Sequence, residues 1–139
     1  MPTIPRHILA LDVGNRRVGV AIASSEAQLA SPLTTLEQGE NLMNKLTQII
    51  KDEAVTDIVV GWPRNQSGEP TEQTQTVEKF SDQLKVIGLP IYFQDESLTS
   101  KKAEAELEGR GKPYKKSDID ALAATYILED WLAENKGKS

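Results

Sequence analysis

Three acidic positions lie where a buried strand or an apolar helix face begins or ends. Asp12 lies near the end of the apolar run 8–13, Glu96 follows the run 90–94, and Asp120 opens a helical stripe. Burying a carboxylate is costly unless a hydrogen-bond partner or a cation compensates its charge. Mg²⁺ and Mn²⁺ prefer oxygen ligands, so these side chains are candidate ligands for either ion.

The acids Asp95 and Glu96 are neighbours on one predicted strand. Side chains alternate along a strand, so only one of the two can face the same side as Asp12. We expect Glu96 to join Asp12, and Asp95 to make a structural contact elsewhere. The alternatives are a turn-capping role for Asp12 and a pair of solvated acids at the strand end.

Asp120 has two competing interpretations. Ser117 and Asp120 fit the capping-box pattern, with Ser117 as the N-cap. Asp120 also shares a helical stripe with Ala124, Ile127 and Trp131, which would direct it toward the interior edge of the protein. The sequence leaves capping and catalysis open at this position.

Absent residue types narrow the chemistry. The chain contains no cysteine, and its one histidine, His7, lies outside these motifs. A thiol nucleophile, a thiolate zinc site and a Ser–His–Asp arrangement are therefore excluded. Two divalent ions about 3.5–4 Å apart between carboxylates can stabilise both the attacking and the leaving oxygen in phosphodiester cleavage. Asp12, Glu96 and Asp120 together favour that chemistry.

The elements that must position these acids begin with strands and then alternate. Apolar runs predict strands at 8–13, 18–23, 32–36, 57–61 and 90–94. Helical spacing predicts helices at 40–53, at 77–87, at 99–109 and at 117–135, with a loop over 63–71. The order βββαβαβαα predicts an α/β protein with a mixed five-stranded sheet, in which a three-strand antiparallel meander precedes two parallel strands and helices flank both faces.

Length and hydropathy set the scale of the molecule. The 139 residues fit one domain spanning 1–139. The stretch 1–7 lacks the apolar run of a secretory signal, and no segment approaches the roughly 18 apolar residues of a membrane span. We therefore expect a cytoplasmic protein without a membrane partner.

The net charge of −5 argues at first against a nucleic-acid partner. The distribution of charge matters more than its sum, and the segment 110–116 contains four basic residues and no acid. These are Arg110, Lys112, Lys115 and Lys116. A phosphate-binding segment and a solubilising loop both fit this pattern.

Four blocks of the sequence resemble the YqgF/RuvX family, nucleases of ribosomal-RNA maturation related to Holliday-junction resolvases. Residues 11–21 (LDVGNRRVGVA) are similar to its opening motif, and residues 59–65 with Gly68 to its second block. Residues 95–100 with Ala103 resemble the third block, and residues 120–124 with Ile127 and Leu128 the fourth. The blocks follow in order along nearly the whole chain.

The resemblance implies a ribonuclease H-like fold and a site for Mg²⁺ or Mn²⁺ on Asp12, Glu96 and Asp120. It also implies that Arg17 and the basic segment before Asp120 hold nucleic acid. The favoured partner is structured RNA, within ribosomal precursor particles, and the favoured role is processing of the small-subunit ribosomal RNA precursor.

The chain departs from the family pattern at three positions. Ser97 replaces a common arginine, Trp62 a usual leucine, and Ser25 a frequent aspartate. Ser97 lacks the charge that an ion pair or a phosphate contact from that position would need, whereas the carboxylates are intact.

Three other functions compete with that of an RNA endonuclease. A resolvase of branched DNA would use the same carboxylates, and a non-catalytic module binding RNA or the ribosome would keep the fold without turnover. A kinase-like phosphate binder is disfavoured, because 139 residues leave no room for its second domain and the Gly-Lys-Ser/Thr of a P-loop is missing. The oligomeric state stays open.

Overall fold

A computed structural model of the chain describes residues 5–63, 71–96 and 99–135. The strands are β1 (His7–Val13), β2 (Arg17–Ser24), β3 (Ser31–Glu37), β4 (Asp57–Pro63) and β5 (Ile91–Glu96). The helices are α1 (Leu42–Asp52), α2 (Glu72–Leu84), α3 (Thr99–Gly109) and α4 (Lys116–Glu134), and a 3-10 turn over Lys85–Ile87 extends α2. The predicted order of elements is confirmed. Most of the predicted loop 63–71, with Gly68, lies outside the described residues, as does Ser97.

The five strands form one mixed sheet in the order β3-β2-β1-β4-β5. The first three strands pair antiparallel, whereas β4 is parallel to β1 and β5 is parallel to β4. This arrangement confirms the predicted meander followed by two parallel strands. Because β1, β4 and β5 run in the same direction, their carboxyl ends meet at one edge of the sheet, where open α/β sheets bind ligands.

Alternating side chains on β1 divide the core between the two faces of the sheet. Leu9, Leu11 and Val13 belong to the apolar cluster that includes residues of α1 and α2. Ile8 and Ala10 belong to the cluster that includes residues of α4. Asp12 continues the second set, so its carboxyl group faces α4.

Helix α4 is buried on both sides. Ala124, Ile127 and Trp131 pack on the sheet, which confirms the apolar members of the predicted stripe. The opposite side of α4 packs against Ala103 and Leu107 of α3, which forms an outer layer. Residues 121–128 are all buried, so the middle of α4 is an interior segment of the fold. None of the helices in the described ranges is long and apolar enough to cross a membrane.

The start of α4 corrects one prediction. The helix begins at Lys116, and the carboxylate of Asp118 accepts a hydrogen bond from the backbone N–H of Lys115 at 2.9 Å. The capping box predicted for Ser117 and Asp120 is therefore wrong. Ser117 lies in the first turn, where its carbonyl oxygen accepts a hydrogen bond from the Thr35 hydroxyl at 2.6 Å. Asp120 has no capping role.

Candidate active site

Asp12 is a buried acid near the carboxyl end of β1. It is 7% exposed and lies opposite Gly19 of β2 in the antiparallel register. Burial raises the pKa of the Asp12 carboxyl well above its ordinary value, and the charge and hydrogen bond of Glu96 and the charge of Asp120 raise it further. Such a group is stable in the interior when it is protonated or when a cation neutralises it.

Glu96 reaches Asp12 across an intervening strand. Strand β4 lies between β1 and β5, so the two acids come from strands roughly 10 Å apart. Gly61 of β4 leaves the space between them open, because a Cβ there would lie 3.0 Å from Glu96 Oε2 and 2.7 Å from Ile127 Cδ1. The Glu96 side chain passes over this position and forms a hydrogen bond with Asp12.

Asp120 comes to the same place from α4. The backbone of α4 approaches β2 so closely at Gly19 that a Cβ there would lie 2.0 Å from the Asp120 carbonyl oxygen. Since Gly19 is the register partner of Asp12, this contact sets Asp120 beside Asp12. The Asp120 carboxylate accepts a hydrogen bond from Arg17 Nε at 2.5 Å.

The turn between β1 and β2 is held from both sides. The Gly14 N–H donates to the Arg17 carbonyl oxygen at 2.9 Å, closing the turn. The Gln38 side-chain amide donates to the Gly14 carbonyl oxygen at 2.9 Å, and the Thr76 hydroxyl donates to Asn15 Oδ1 at 2.8 Å. These bonds fix the segment that carries Asp12 on one side and Arg17 on the other.

The three predicted acids are neighbours, and their donor chemistry fits a hard divalent cation. Three carboxylates beside one arginine carry excess negative charge, and none of the donors is a thiol or imidazole. No group of three or more acidic or histidine side chains in the described ranges is already arranged to hold a metal ion. In this arrangement Asp12 and Glu96 bond to each other, and Arg17 holds the Asp120 carboxylate. Ion binding would require the acids to exchange these partners.

Asp95 faces the opposite side of the sheet, as alternation predicted. It is exposed and lines a groove together with Trp62 and Phe93, whose rings meet edge to face at 5.4 Å. Where the YqgF/RuvX pattern usually has leucine, Trp62 thus packs its ring against Phe93. At another departure from the family, the Ser25 hydroxyl accepts a hydrogen bond from the Arg6 backbone N–H at 2.8 Å.

Sequence reasoning missed Gly19, Gly61 and Gln94. The two glycines lie inside strands, and a glycine in a strand interior signals a close approach of another group. Gln94 is buried on the same strand face as Glu96, two residues earlier, and lies opposite Gly61 in the parallel register. Its isolated amide in a short apolar run carried no recognisable signal.

The four basic residues of the segment 110–116 are all exposed, whereas Arg17 is half-buried. Lys115 and Lys116 lie at the start of α4, about one turn before Asp120. Arg110 and Lys112 lie at and after the end of α3, and Arg110 Nη2 is 3.7 Å from Glu106 Oε2. The end of the basic segment therefore adjoins Asp120 along α4.

The mixed sheet and its helices define a ribonuclease H-like fold, which solved resolvases share. RuvC from T. thermophilus, in complex with a Holliday junction substrate, superposes with a TM-score of 0.61 at 16% identity and covers 96% of this chain and 98% of its own. The Fowlpox virus resolvase in complex with Holliday junction DNA has a TM-score of 0.56 at 11% identity, covering 95% and 99%. At these identities the likeness concerns the fold alone.

Residues 6–134 match the family model RuvX, described as Holliday junction resolvase. The chain belongs to this family, which confirms the resemblance seen in the sequence. A relative from Chloroflexus aurantiacus is 42% identical over 130 residues, covering 90% of this chain and 85% of the relative. Another from Rickettsia conorii is 39% identical over 134 residues, covering 93% and 86%. Both carry the provisional name pre-16S rRNA nuclease.

Proposed function

We propose that this chain is a divalent-metal-dependent endonuclease that hydrolyses phosphodiester bonds of structured RNA during processing of the small-subunit ribosomal RNA precursor. The observation that supports it best is the buried carboxyl group of Asp12, hydrogen-bonded to Glu96 and adjacent to Asp120. Such a cluster is costly without a cation. The names of the relatives favour RNA as the substrate.

Each residue has a distinct task in this proposal. Asp12 and Glu96 bind the cation from the sheet, and Asp120 binds it from α4. Bound Mg²⁺ or Mn²⁺ supplies a water of lowered pKa and stabilises charge on the phosphate oxygens. Arg17, Lys115 and Lys116 hold phosphates next to the acids, and Arg110 and Lys112 extend the basic surface.

The description of the family favours a second candidate, a resolvase of four-way DNA junctions. The same three carboxylates would serve either substrate, because the backbone chemistry is identical. The two candidates differ in the nucleic acid whose cleaved bond lies at the acids. A comparison of RNA and junction DNA as substrates therefore distinguishes them.

A cleavage assay tests both candidates. A small-subunit precursor RNA and a four-way DNA junction would each be incubated with Mg²⁺, Mn²⁺ or EDTA. We expect metal-dependent cutting of the RNA by the parent, and its loss in Asp12→Asn, Glu96→Gln and Asp120→Asn. Asp95→Asn is the matched control, since Asp95 faces the other side of the sheet.

Three results would contradict the proposal. Cutting in EDTA, or by any of the three variants, would remove the carboxylate–metal site from the mechanism. Preferential cutting of the DNA junction would establish the resolvase instead. RNA binding without cleavage under any metal would establish a non-catalytic module.

A further inference from the structure

A groove of about 360 Å³ opens beside the carboxylates, between the start of β3, the end of α3 and the start of α4. Its volume lies near the lower end of the range of small-ligand pockets, about 300–1,000 Å³. Pro32, Leu107 and Leu122 contribute apolar surface to it. Ala121 also lines it and directly follows Asp120, so the groove and the acids adjoin along the first turns of α4.

The rim of the groove carries two basic side chains. Among the described residues, Arg110 and Lys112 line it together with the acid Asp118, and Glu108 lies beside it, bonded to the Tyr114 hydroxyl. The Asp118 carboxylate already accepts the backbone hydrogen bond of Lys115. Arg110 is only partly compensated by Glu106, at 3.7 Å between two half-exposed side chains. An anionic group at this rim therefore meets two cations.

Tyr114 supplies an aromatic ring in the same groove. The residue is half-buried, and its hydroxyl donates a hydrogen bond to Glu108 Oε1 at 3.2 Å, which anchors the ring to α3. An anchored ring beside apolar walls offers a stacking surface, and the basic rim offers a place for a phosphate. Together these features match the two parts of a nucleotide.

We infer that this groove binds one unpaired nucleotide of the substrate, with its base against Tyr114 and its phosphate at Arg110 and Lys112. The grooves of A-form RNA largely hide the base edges, so proteins read unstacked bases against aromatic rings. A base in a continuous duplex cannot enter the groove without leaving its stack. The inference rests on the proposed function and narrows its substrate to RNA with a single-stranded segment next to the cleaved bond.

Binding measured in EDTA tests the inference apart from catalysis. Fluorescence anisotropy would compare a labelled single-stranded RNA with a duplex of the same sequence, for the parent, Tyr114→Leu and Tyr114→Phe. We expect Tyr114→Leu to weaken single-strand binding roughly 5- to 150-fold, the range seen when a stacking aromatic ring is removed. Tyr114→Phe keeps the ring and retains most of the affinity, and duplex binding stays unchanged.

Two further variants sharpen the result. Lys112→Gln should weaken single-strand binding and reduce its salt dependence by about one counterion. Phe93→Leu is the matched aromatic control, because Phe93 is half-exposed on the other face of the sheet, and it should bind as the parent does. Melting temperatures of all variants would confirm that each one is folded.

Three results would overturn the inference. Tyr114→Leu could lose affinity equally for the single strand and the duplex, it could bind both as the parent does, or the parent could fail to bind the single strand. Metal-dependent cleavage by the parent, measured in parallel, separates this failure from that of the proposed function. If the parent cuts RNA while Tyr114→Leu binds normally, only the groove assignment falls. If the parent binds through Tyr114 and never cuts, only the nuclease assignment falls.

Discussion

The carboxyl group of Asp12 makes the stability of the fold depend on pH. Burial first, and then the neighbouring Glu96 and Asp120, raise its pKa, so the folded protein holds this proton more tightly than the unfolded chain does. The stabilisation of the fold by protonated Asp12 is therefore complete below the ordinary pKa of about 3.9. It is lost as the pH rises through the raised pKa of the folded protein. Ionised Asp12 without a cation destabilises the fold.

We predict that Asp12→Asn melts at a higher temperature than the parent in EDTA, and that the difference grows as the pH rises from about 4 to about 8. The expected gain is several degrees, since about 1 kcal/mol moves Tm by roughly 2–8 °C in small domains. Mg²⁺ or Mn²⁺ should raise the Tm of the parent and leave that of the variant unchanged. Thermal melts across this pH range, with and without metal, provide the measurement.

Asp57 is a control for Asp12, because its contribution to stability should change with pH in the opposite direction. Burial opposes its ionisation, but hydrogen bonds from Arg6 and Thr56 outweigh that effect and lower its pKa. Its contribution is present above the ordinary pKa and is lost as the pH falls through the lowered value. Asp57→Asn should therefore lose stability at neutral pH. A Tm difference for Asp12→Asn that is independent of pH would contradict the assignment of Asp12.

Arg17 competes with a metal ion for the Asp120 carboxylate. Its Nε lies 2.5 Å from Asp120 Oδ2, and both side chains are partly exposed. We predict that Arg17→Gln binds Mn²⁺ about two- to fivefold more tightly, the factor that corresponds to a partly exposed ion pair of about 0.5–1 kcal/mol. Titration calorimetry without nucleic acid measures this affinity directly.

Arg16→Gln is the matched control, because it removes the same charge from the same turn at an exposed position. Its affinity for Mn²⁺ should change less than that of Arg17→Gln. Unchanged or weaker binding by Arg17→Gln would mean that Arg17 holds Asp120 in its binding position and does not compete with the ion.

At the scale of elements, the docking of α4 on β2 depends on the absent side chain of Gly19. A Cβ would lie 2.0 Å from the Asp120 carbonyl oxygen, which is backbone and cannot rotate away. We predict that Gly19→Ala lowers the free energy of unfolding by about 1–3 kcal/mol or more. It should also abolish the metal-dependent rise in Tm, because the start of α4 moves with Asp120. Urea unfolding and thermal melts test both effects.

Gly109→Ala serves as the control, since a Cβ at Gly109 meets no atom within 4 Å. Alanine is a better helix former than glycine, so this change should be neutral or stabilising by up to about 1 kcal/mol. A Gly19→Ala protein with the stability and metal response of the parent would show that α4 does not need this close approach.

Local sequence patterns predicted the order of the elements and the faces of the main apolar stripes, because each depends on residues near in sequence. They failed at the start of α4. Ser117 and Asp120 fit the capping pattern better than Lys115 and Asp118, since lysine offers no side-chain acceptor to the helix. In the structure, the first turns of α4 contact Gly19 and Thr35 of the sheet. These residues are distant in sequence, so no local pattern includes them.

The sequence predicted which acids form the candidate site. It did not predict how the strands and helices bring them together. Motif positions identified Asp12, Glu96 and Asp120 as candidates. The strand order that places β4 between β1 and β5 was not predicted from sequence, so neither was the passage of Glu96 over Gly61. The Arg17–Asp120 ion pair joins residues 103 positions apart and was likewise hidden.

At the scale of the whole molecule, both faces of the sheet share the same strands. Trp62 packs with the α1–α2 face and Trp131 with the α4 face. We predict that residues 1–139 unfold as one unit, because neither apolar cluster can persist once the strands separate. Trp62→Phe and Trp131→Phe each leave one tryptophan as a reporter of one face.

In urea, the fluorescence midpoint of each variant should coincide with its own far-ultraviolet circular dichroism midpoint. Comparing the two probes within one variant removes the effect of the substitution on stability. Separate midpoints in either variant would show that one face of the sheet unfolds independently.

The contact between Gly19 and Asp120 also has a consequence for biosynthesis. Asp12 and Gly19 are synthesised about 100 residues before Asp120 and therefore before most of α4. Until α4 has left the ribosome and docked on β2, the nascent chain lacks its third carboxylate. If the proposed function is correct, the ribosome that makes this nuclease is therefore not exposed to an active site on its own unfinished product.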